Sequence, residues 1–343
     1  MGTLTIKDIA RICNVSTSTV SRAMNEESGI NKATKARILK VIEEYNFVPN
    51  NSARNLKMIE SNTIALLIKG INNQFFQSMI STFETELNKL EYSFIIHTVG
   101  ENQDEIAVAA ELIKEKKLKG IIFLGGRLNN TEEILKPIGI PYVRCTGATD
   151  ATSNAWGGSS ITIDDCLESM KAVEYLINCG HRRIAILPSS AEDHSVGRLR
   201  LEGYKQALKK HGIEIDPELV RYPVYPDNAY TAENGYLVTK ELIESKVPCT
   251  AIYAVSDTMA FGVYKAILEA GKEIPKDYSV IGFDGISLGK YYHPSLTTIM
   301  QPCEEMIIAS IRELMKAING EEFKESIFFE GTLVERDSVR KIN

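Results

Sequence analysis

The sequence predicts an α/β core of two doubly wound parallel-sheet lobes, preceded by an N-terminal all-α helix-turn-helix headpiece. Three observations support this prediction. Residues 1–47 contain short amphipathic helical patterns. From residue 62 onward, short apolar runs alternate with amphipathic helical stretches, which is typical of parallel strands covered by helices on both faces. About 280 residues lie from residue 62 onward. This is more than one typical domain contains, so two lobes are expected.

The headpiece opens with two short helices joined by a tight turn, in DIARICNVSTSTVSRAMN at residues 8–25. Asn14 tolerates the left-handed conformation that such a turn requires, and Ser16 is the predicted N-cap of the second helix. Apolar residues at helical spacing form the contact between the two helices. They are Ile6, Ile9, Ala10 and Cys13 on the first helix, and Val20, Ala23 and Met24 on the second.

The outer face of the second helix carries four polar side chains that the core does not need: Thr17, Ser18, Ser21 and Arg22. This is the layout of a helix-turn-helix, whose second helix lies in the DNA major groove. The alternative is a helical hairpin with a solvated polar face. Charge favours DNA binding, because residues 1–60 hold nine basic and six acidic side chains while the remainder holds 30 and 39.

A third helix is predicted after the Asn31 cap, and a hinge helix or linker follows at residues 48–60. The predicted inward stripe of the third helix is Ile38, Val41, Ile42 and Tyr45. Pro49 holds Val48 in an extended conformation, and a helix ending near Lys57 is too short to be stable alone. We therefore expect this segment to become helical only when something packs against it.

The core, residues 61–343, contains strand-like runs, which read TIALLI, SFIIHTV, GIIFLG, PYVRC, RIAILPS, AIYAVSD and SVIGFDG. The late segments PSLTTIMQP and SIFFEGTLVERDSV are expected to recross between the lobes. We therefore divide the core into an N-lobe of about residues 61–179 plus 293–320, and a C-lobe of about residues 180–292 plus 321–343.

Composition excludes several classes of protein. No apolar run reaches the roughly 18 residues of a membrane span, and the N-terminus lacks the apolar stretch of a secretory signal, so a cytoplasmic protein is expected. Six scattered cysteines without a CxxC pair indicate reduced thiols. Five scattered histidines, without HExxH, P-loop or GxSxG motifs, predict no enzyme, no metal and no cofactor.

Several motifs occur in one order along the whole chain: TIKDIARICNVSTSTVSRAMN, INKATKARILKVIEEYNFVPN, NSARNL, GHRRIAIL, RLRLEGYKQAL, AVSDTMAFGVYKAI, SVIGFDG and PSLTTIMQP. In these motifs the chain resembles the lactose/galactose repressor (LacI/GalR) family of bacterial transcriptional regulators. The resemblance implies a periplasmic-binding-protein-like core with a small-molecule effector between its lobes. It also implies a homodimer on palindromic double-stranded operator DNA. The final residues SVRKIN contain no heptads, so a dimer is expected rather than a tetramer.

Family residues transfer to matching positions of this chain. The implied DNA contacts are Thr5, Ser16, Thr17, Ser18, Ser21, Arg22, Asn25, Asn50 and Leu56. Thr17 and Ser18 stand where members distinguish their operators, and Asn50 would hold a phosphate. Leu56 matches the hinge leucine that enters the minor groove, although without the resemblance it would be read as a linker residue.

The effector contacts implied by the resemblance, and by strand ends, are Asn73, Phe75, Arg200, Tyr230, Asp257 and Asp284. Ligands of open α/β sheets bind beyond the carboxyl ends of strands, where Asp257 and Asp284 stand, although Asp also caps helices there. Phe75 forms a pair with Phe76, and adjacent phenylalanines are more often core residues.

The chain also departs from the family. The family pattern D-I-x-N-P-F-F is replaced by GINNQFF, in which Asn72 and Asn73 are candidates for the missing polar contact. Asp164-Asp165 stands where Asp-Asn is usual, and Glu168 replaces a common glycine.

Together these features predict a repressor of carbohydrate-utilisation genes whose operator affinity is changed by a small sugar. Two alternatives keep the DNA-binding headpiece and replace the sugar with a nucleobase corepressor or with a partner protein. A sugar-binding transport protein would fit the core alone. It is disfavoured by the basic headpiece and by the absence of a signal peptide.

Overall fold

The computed structural model describes residues 4–24, 30–45, 47, 62–70, 74–100, 103–126, 138–147, 158–191, 195–322 and 326–342. The chain divides into two compact units, Met1–Ser61 and Asn62–Asn343. Among the helices in these ranges, none is both long and apolar enough to cross a membrane.

In its described residues the first unit contains the helices α1 (Ile6–Ile12), α2 (Thr17–Met24) and α3 (Lys32–Glu44). Its core is built from the predicted faces, with Ile9, Val20 and Ile38 fully buried. Asn14 adopts a φ of 45° in the turn, and the Asn31 side chain caps α3 by accepting from the backbone N–H of Ala33. The helix-turn-helix is therefore confirmed.

The predicted inward stripe on α3 is wrong at one residue, Tyr45. Tyr45 is 47% exposed, because α3 ends before it and Tyr45 follows as the C-cap. Phe47 is buried instead, and its backbone N–H bonds to the carbonyl of Ile42. The chain turns inward two residues later than periodicity predicts.

The N-lobe of the second unit is built on a sheet of six described strands, whose pairings are all parallel. Its strands are β1 (Thr63–Lys69), β2 (Ser93–Val99), β3 (Gly120–Leu124), β4 (Tyr142–Cys145), β5 (Ser159–Ile163) and β10 (Ser326–Phe329), in the order β10-β5-β4-β3-β1-β2. Helices α4 (Gln74–Lys89) and α10 (Cys303–Asn319) pack on one face, and α5 (Glu105–Glu115) packs on the other.

The C-lobe is built on a five-stranded sheet in which only the pairing of its edge strand, β11, is antiparallel among the described strands. Its strands are β6 (Ile184–Leu187), β7 (Ala251–Ala254), β8 (Ser279–Asp284), β9 (Thr297–Met300) and β11 (Thr332–Val334), in the order β11-β9-β8-β7-β6. Its helices pack as two pairs, α6 (Asp165–Asn178) with α7 (Val196–Lys210), and α8 (Ala232–Glu244) with α9 (Asp257–Glu269). The predicted fold class, two parallel-sheet lobes that follow a helical headpiece in the sequence, is confirmed.

The observed lobes differ from the predicted boundaries at three elements. Helix α6 packs on α7, β7 and β9 and so belongs to the C-lobe, as does β9, whereas β10 pairs with β5 in the N-lobe. Within the described ranges the chain thus crosses between lobes at Asp164, at Gln301-Pro302 and at Glu330-Gly331. An apolar run encodes a strand but not the sheet that receives it, because any strand edge offers the same backbone hydrogen bonds.

Candidate functional site

The outer face of α2 presents the side chains predicted to read DNA. Thr17, Ser18 and Arg22 are exposed, and Ser21 is half-buried. Val20 and its neighbour Ala23 point into the headpiece core. The helix therefore has an apolar face that packs in the core and an exposed polar face that could lie in a DNA major groove.

The start of α2 is fixed by Ser16. Its hydroxyl oxygen accepts from the backbone N–H of Thr19 at 3.2 Å, as an N-cap does. The same hydroxyl lies 2.7 Å from the Ser18 hydroxyl and 2.9 Å from the Thr19 hydroxyl. This cluster orients the exposed first turn, where a recognition helix meets base edges.

Thr5 has a structural task in the free protein. Its backbone N–H and its hydroxyl both donate to the Asp8 carboxylate, at 2.9 and 2.6 Å, forming a capping box at the start of α1. These hydrogen bonds lower the pKa of Asp8.

Some predicted sites lie outside the described residues and stay predictions. They are the contacts Asn25, Asn50, Leu56, Asn72 and Asn73, and the hinge at residues 48–60.

The second candidate site lies at the carboxyl edge of the C-lobe sheet, where β8 ends at Asp284. The backbone of Asp284 has a φ of 113° and is followed by Gly285 at 77°. A non-glycine residue in this region is strained, and such strain is concentrated at ligand sites. Its carboxylate oxygen Oδ1 accepts from Gln301 Nε2 at 2.9 Å and from Arg200 Nη1 at 3.3 Å. Asp284 thus joins the strand end to one of the crossings between lobes.

Arg200 projects from α7 into this same place and is 4% exposed. Its Nε donates to Asp165 Oδ1 at 2.8 Å, and its Nη1 donates to the carbonyl of Val255 at 2.6 Å. The guanidinium carbon lies 3.8 Å from the ring centre of Phe283. Burial alone would lower the pKa of Arg200, but the charges of Asp165 and Asp284 raise it overall. The guanidinium is therefore charged, and its position is fixed by Asp165, Val255 and Phe283.

Asp165 is a member of this site that the predicted set of contacts left out. It is 2% exposed and begins α6, directly after the crossing at Asp164. Burial raises the pKa of Asp165 to about 6, against the charge of Arg200, which lowers it. A signal was present in the sequence. Two adjacent aspartates stand at the start of one helix, and the N-cap needs only Asp164, whose carboxylate accepts from the backbone N–H of Leu167.

Asp257 lies beneath the site and is fully buried. Its Oδ2 accepts from the backbone N–H of Ile286 at 2.7 Å, and its Oδ1 accepts from the Thr298 hydroxyl at 2.7 Å. Ser256, rather than Asp257, is the N-cap of α9. Burial and the nearby Asp284 raise the pKa of Asp257 to about 8. In this arrangement Asp257 supports the loop after Asp284, and its contact with an effector stays a prediction.

The two predicted aromatic contacts occupy different environments. Tyr230 is half-buried, and its hydroxyl lies 3.3 Å from that of Ser195 at the start of α7. Phe75 and Phe76 are 3% and 8% exposed and belong to the N-lobe core, with ring centres 5.5 Å apart. Phe75 therefore packs as a core residue, and its effector contact is untested.

The N-lobe contributes a group of charges at the same edge of its sheet. Lys69, the last residue of β1, donates to the Glu105 carboxylate at 2.8 Å. Arg144 on β4 is buried, and burial lowers its pKa to about 10, against the charge of Glu105, which raises it. In the described ranges no cluster of three His, Cys, Asp or Glu side chains offers a metal site.

Comparison with known proteins places both units in one family. Residues 5–50 match the family described as bacterial regulatory proteins, lacI family, and residues 173–339 match the periplasmic binding protein-like domain. The transcriptional regulator MalR of Clostridium butyricum is 34% identical over 341 residues, which cover 99% of this chain and 100% of the relative. The chain belongs to the LacI family.

Other members agree with this assignment of the LacI-family chain. The ribose operon repressor of Haemophilus influenzae is 32% identical, and the match covers 98% of both chains. The solved complex of the transcriptional regulator CelR with cellobiose is 25% identical, with a TM-score of 0.70 and coverage of 98% and 99%. The LacI-family chain is therefore a DNA-binding transcriptional regulator, as the headpiece predicts.

Proposed function

We propose that this LacI-family regulator represses carbohydrate-utilisation genes as a homodimer, and that a small sugar bound between its lobes weakens its hold on the operator. The observation that carries the proposal is the polar group formed by Arg200, Asp284 and Gln301. It joins the carboxyl edge of the C-lobe sheet to a crossing between the lobes. Ligands of open α/β sheets bind beyond such edges.

A ligand controls DNA binding only if its affinity differs between two arrangements of the protein. A site between lobes supplies this difference, because both walls contact the ligand only in one arrangement. Gln301 lies at one crossing and Asp165 follows another, so the groups around Arg200 are placed where lobe movement would change their geometry.

The polar character of this wall supports a sugar as the effector. A guanidinium and a carboxylate donate to and accept from neighbouring hydroxyls, and Tyr230 supplies an aromatic face for the apolar side of a pyranose ring. The names of two relatives point the same way, since one is a ribose operon repressor and another was solved with cellobiose. Asp284 is the residue we assign to direct contact with the sugar.

Operator reading is assigned to α2. Thr17 and Ser18 have small hydroxyl side chains that donate or accept, so they do not specify one base by themselves. Arg22 adds a cation on the same exposed face. We propose that Thr17 and Ser18 contact bases and that Arg22 binds beside them.

Dimerisation is assigned to an apolar groove on the C-lobe, formed by α8, α9 and the segment around Tyr292. The groove has a volume of about 670 Å³ and includes Phe261, Tyr264, Leu268 and Tyr292. The Phe261 and Tyr292 rings stack at 4.3 Å, and Leu268 is 53% exposed. Exposed apolar surface of this kind marks an interaction site, and a two-fold axis would place the same groove on both partners.

The test uses the full chain with an operator selected from random DNA and a panel of saccharides. We expect one saccharide to release heat in calorimetry and to lower operator affinity about 5- to 150-fold, the usual range of allosteric coupling. Arg200→Ala should lose both effects while keeping operator affinity. Arg198→Ala, an exposed arginine on the same helix, should keep them. If no saccharide gives heat or changes operator affinity, the sugar proposal fails; a purine that does both would replace it.

A further inference from the structure

The surroundings of Arg200 determine which ligands it can accept. Two of its three nitrogens are occupied inside the C-lobe, Nε by Asp165 and Nη1 by Val255 and Asp284. Among the residues that the structure describes, none accepts a hydrogen bond from Nη2. As far as the described residues go, one nitrogen of Arg200, Nη2, is therefore left for a ligand.

A single nitrogen does not suit an anion. Carboxylates and phosphates are bound by arginine through two parallel N–H···O hydrogen bonds from one edge of the guanidinium. Each edge of the guanidinium that includes Nη2 also includes a nitrogen that is already hydrogen-bonded: Nε donates to Asp165, and Nη1 donates to the carbonyl of Val255. A hydroxyl group needs only one donor and so fits what remains.

Charge leads to the same conclusion. Asp165 and Asp284 are both nearly fully buried and both contact the guanidinium. An incoming anion would meet two carboxylates close to the one cation, where burial leaves little water to screen the repulsion. A neutral polyol meets no such repulsion.

We propose that Asp165 restricts the effector site to uncharged ligands, because it occupies the edge of Arg200 that would otherwise bind a phosphate or carboxylate group. The inference rests on the proposed function only in placing Arg200 at the effector site. It names the class of effector as neutral saccharides and excludes sugar phosphates and sugar acids. Asp165 acts through Arg200 and is thus a specificity-determining residue.

The chain supplies a matched control in the preceding residue. Asp164 carries the same charge at the same helix start but is exposed, and its carboxylate caps α6 through the backbone N–H of Leu167 at 2.9 Å. Asparagine caps a helix as well as aspartate does. Asp164→Asn therefore removes one negative charge nearby without changing the contacts of Arg200.

The experiment titrates the full chain with inorganic phosphate, in a buffer without other oxyanions, and measures binding by calorimetry. The wild type and Asp164→Asn should bind no phosphate at millimolar concentration. Asp165→Asn loses the charge and can hold Nε only by a neutral hydrogen bond, which a phosphate oxygen can displace, so we expect it to bind phosphate at least about tenfold more tightly than the wild type, as charge-assisted pairing predicts. Asp165→Ser should do the same and is used if the asparagine variant does not fold.

Three results would overturn the proposal: phosphate binding by the wild type that Arg200→Ala removes, no gain in a folded Asp165 variant, or an equal gain in Asp164→Asn. If neither Asp165 variant folds, the wild-type titration decides alone. None of these measurements needs the natural sugar or the operator. A gain in Asp165→Asn together with no response to any saccharide would therefore keep this inference and reject the sugar-responsive function.

Discussion

The Asp257 carboxyl group accepts a hydrogen bond of 2.7 Å from the backbone N–H of Ile286 and so ties the start of α9 to the loop after Asp284. A second hydrogen bond, from the Thr298 hydroxyl to the other carboxylate oxygen, adds β9 to the same group. The strained backbone of Asp284 is thus supported from inside the C-lobe. Asp257 and Asp284 hold different positions in one site, although the sequence presents both as aspartates at strand ends.

The first prediction concerns pH and Asp257. Its pKa is raised from 3.8 to about 8 by burial and by Asp284. Between about pH 4 and pH 8 the folded chain keeps this proton and the unfolded chain releases it, so stability falls as pH rises through this window. Asp257→Asn removes the titrating group, so its stability should fall less between pH 5 and pH 8 than that of the wild type. Urea unfolding at several pH values measures both slopes.

A control separates this effect from general electrostatics. Asp227 lies exposed on the same lobe, and Asp227→Asn should leave the slope as it is in the wild type. Equal slopes for wild type and Asp257→Asn would show that the Asp257 carboxyl is not protonated in the fold.

The second prediction concerns the crossing at Gly331. A Cβ there would lie 2.8 Å from Glu168 Oε2 and 2.9 Å from a methyl carbon of Ile299. Gly331→Ala should therefore destabilise the core by about 1–3 kcal/mol, as overpacking does. Glu168→Ala removes the nearer obstacle, so the double variant should lose less than the sum of the two single losses.

Thermal and urea unfolding of the four proteins give the coupling between the two sites. Gly212→Ala serves as the control, because a Cβ at Gly212 would contact nothing within 4 Å, although its φ of 65° adds a strain of its own. Strictly additive losses of stability would mean that the alanine Cβ at position 331 clashes with Ile299 and not with Glu168.

The headpiece was predictable because its signals are local. A turn residue, a cap and apolar spacing fall within about 18 residues, and Asn14 and Ser16 have the predicted conformation and hydrogen bond.

The strand β5, which the sequence analysis missed, reads SSITI, and all of it is buried. Its serine and threonine residues do not form the apolar run by which a buried strand is recognised in a sequence. Whether their hydroxyls are buried depends on neighbouring residues that the sequence alone does not identify.

The candidate effector site was only partly predictable because its geometry is long-range. Arg200 and Asp284 were found through a known motif, whereas the contact of Arg200 with Asp165 joins residues on two helices that the sequence assigned to different lobes. Which aspartate caps a helix and which one pairs with an arginine depends on the rotation of α6 about its axis. Sequence spacing does not fix that rotation.

The third prediction concerns operator reading by α2. Thr17 and Ser18 are exposed on the proposed DNA face, so changing both to alanine should alter the selected operator at the base pairs they contact. Each lost contact should cost about 1–3 kcal/mol on the preferred site. Selection from random DNA followed by sequencing measures the change. Glu43→Ala and Glu44→Ala, exposed on α3, are the controls and should select the wild-type operator. An unchanged operator in the Thr17/Ser18 variant would remove α2 from the role of recognition helix.

The last prediction concerns the apolar groove on α8 and α9 and the dimer. Leu268 is 53% exposed at its edge, and the adjoining Tyr291 is 83% exposed. If a second copy covers this groove, Leu268→Glu buries an unpaired charge and should weaken dimerisation by at least about tenfold, since burying a charge without a partner is costly. Sedimentation measures the dimer constant directly. Affinity for a palindromic operator should fall with it, because two headpieces on one dimer bind the second half-site at high effective concentration. Ile215→Glu, an exposed apolar residue outside the groove, should leave both quantities unchanged. A Leu268→Glu protein that sediments as the wild type does would place the dimer interface elsewhere on the core.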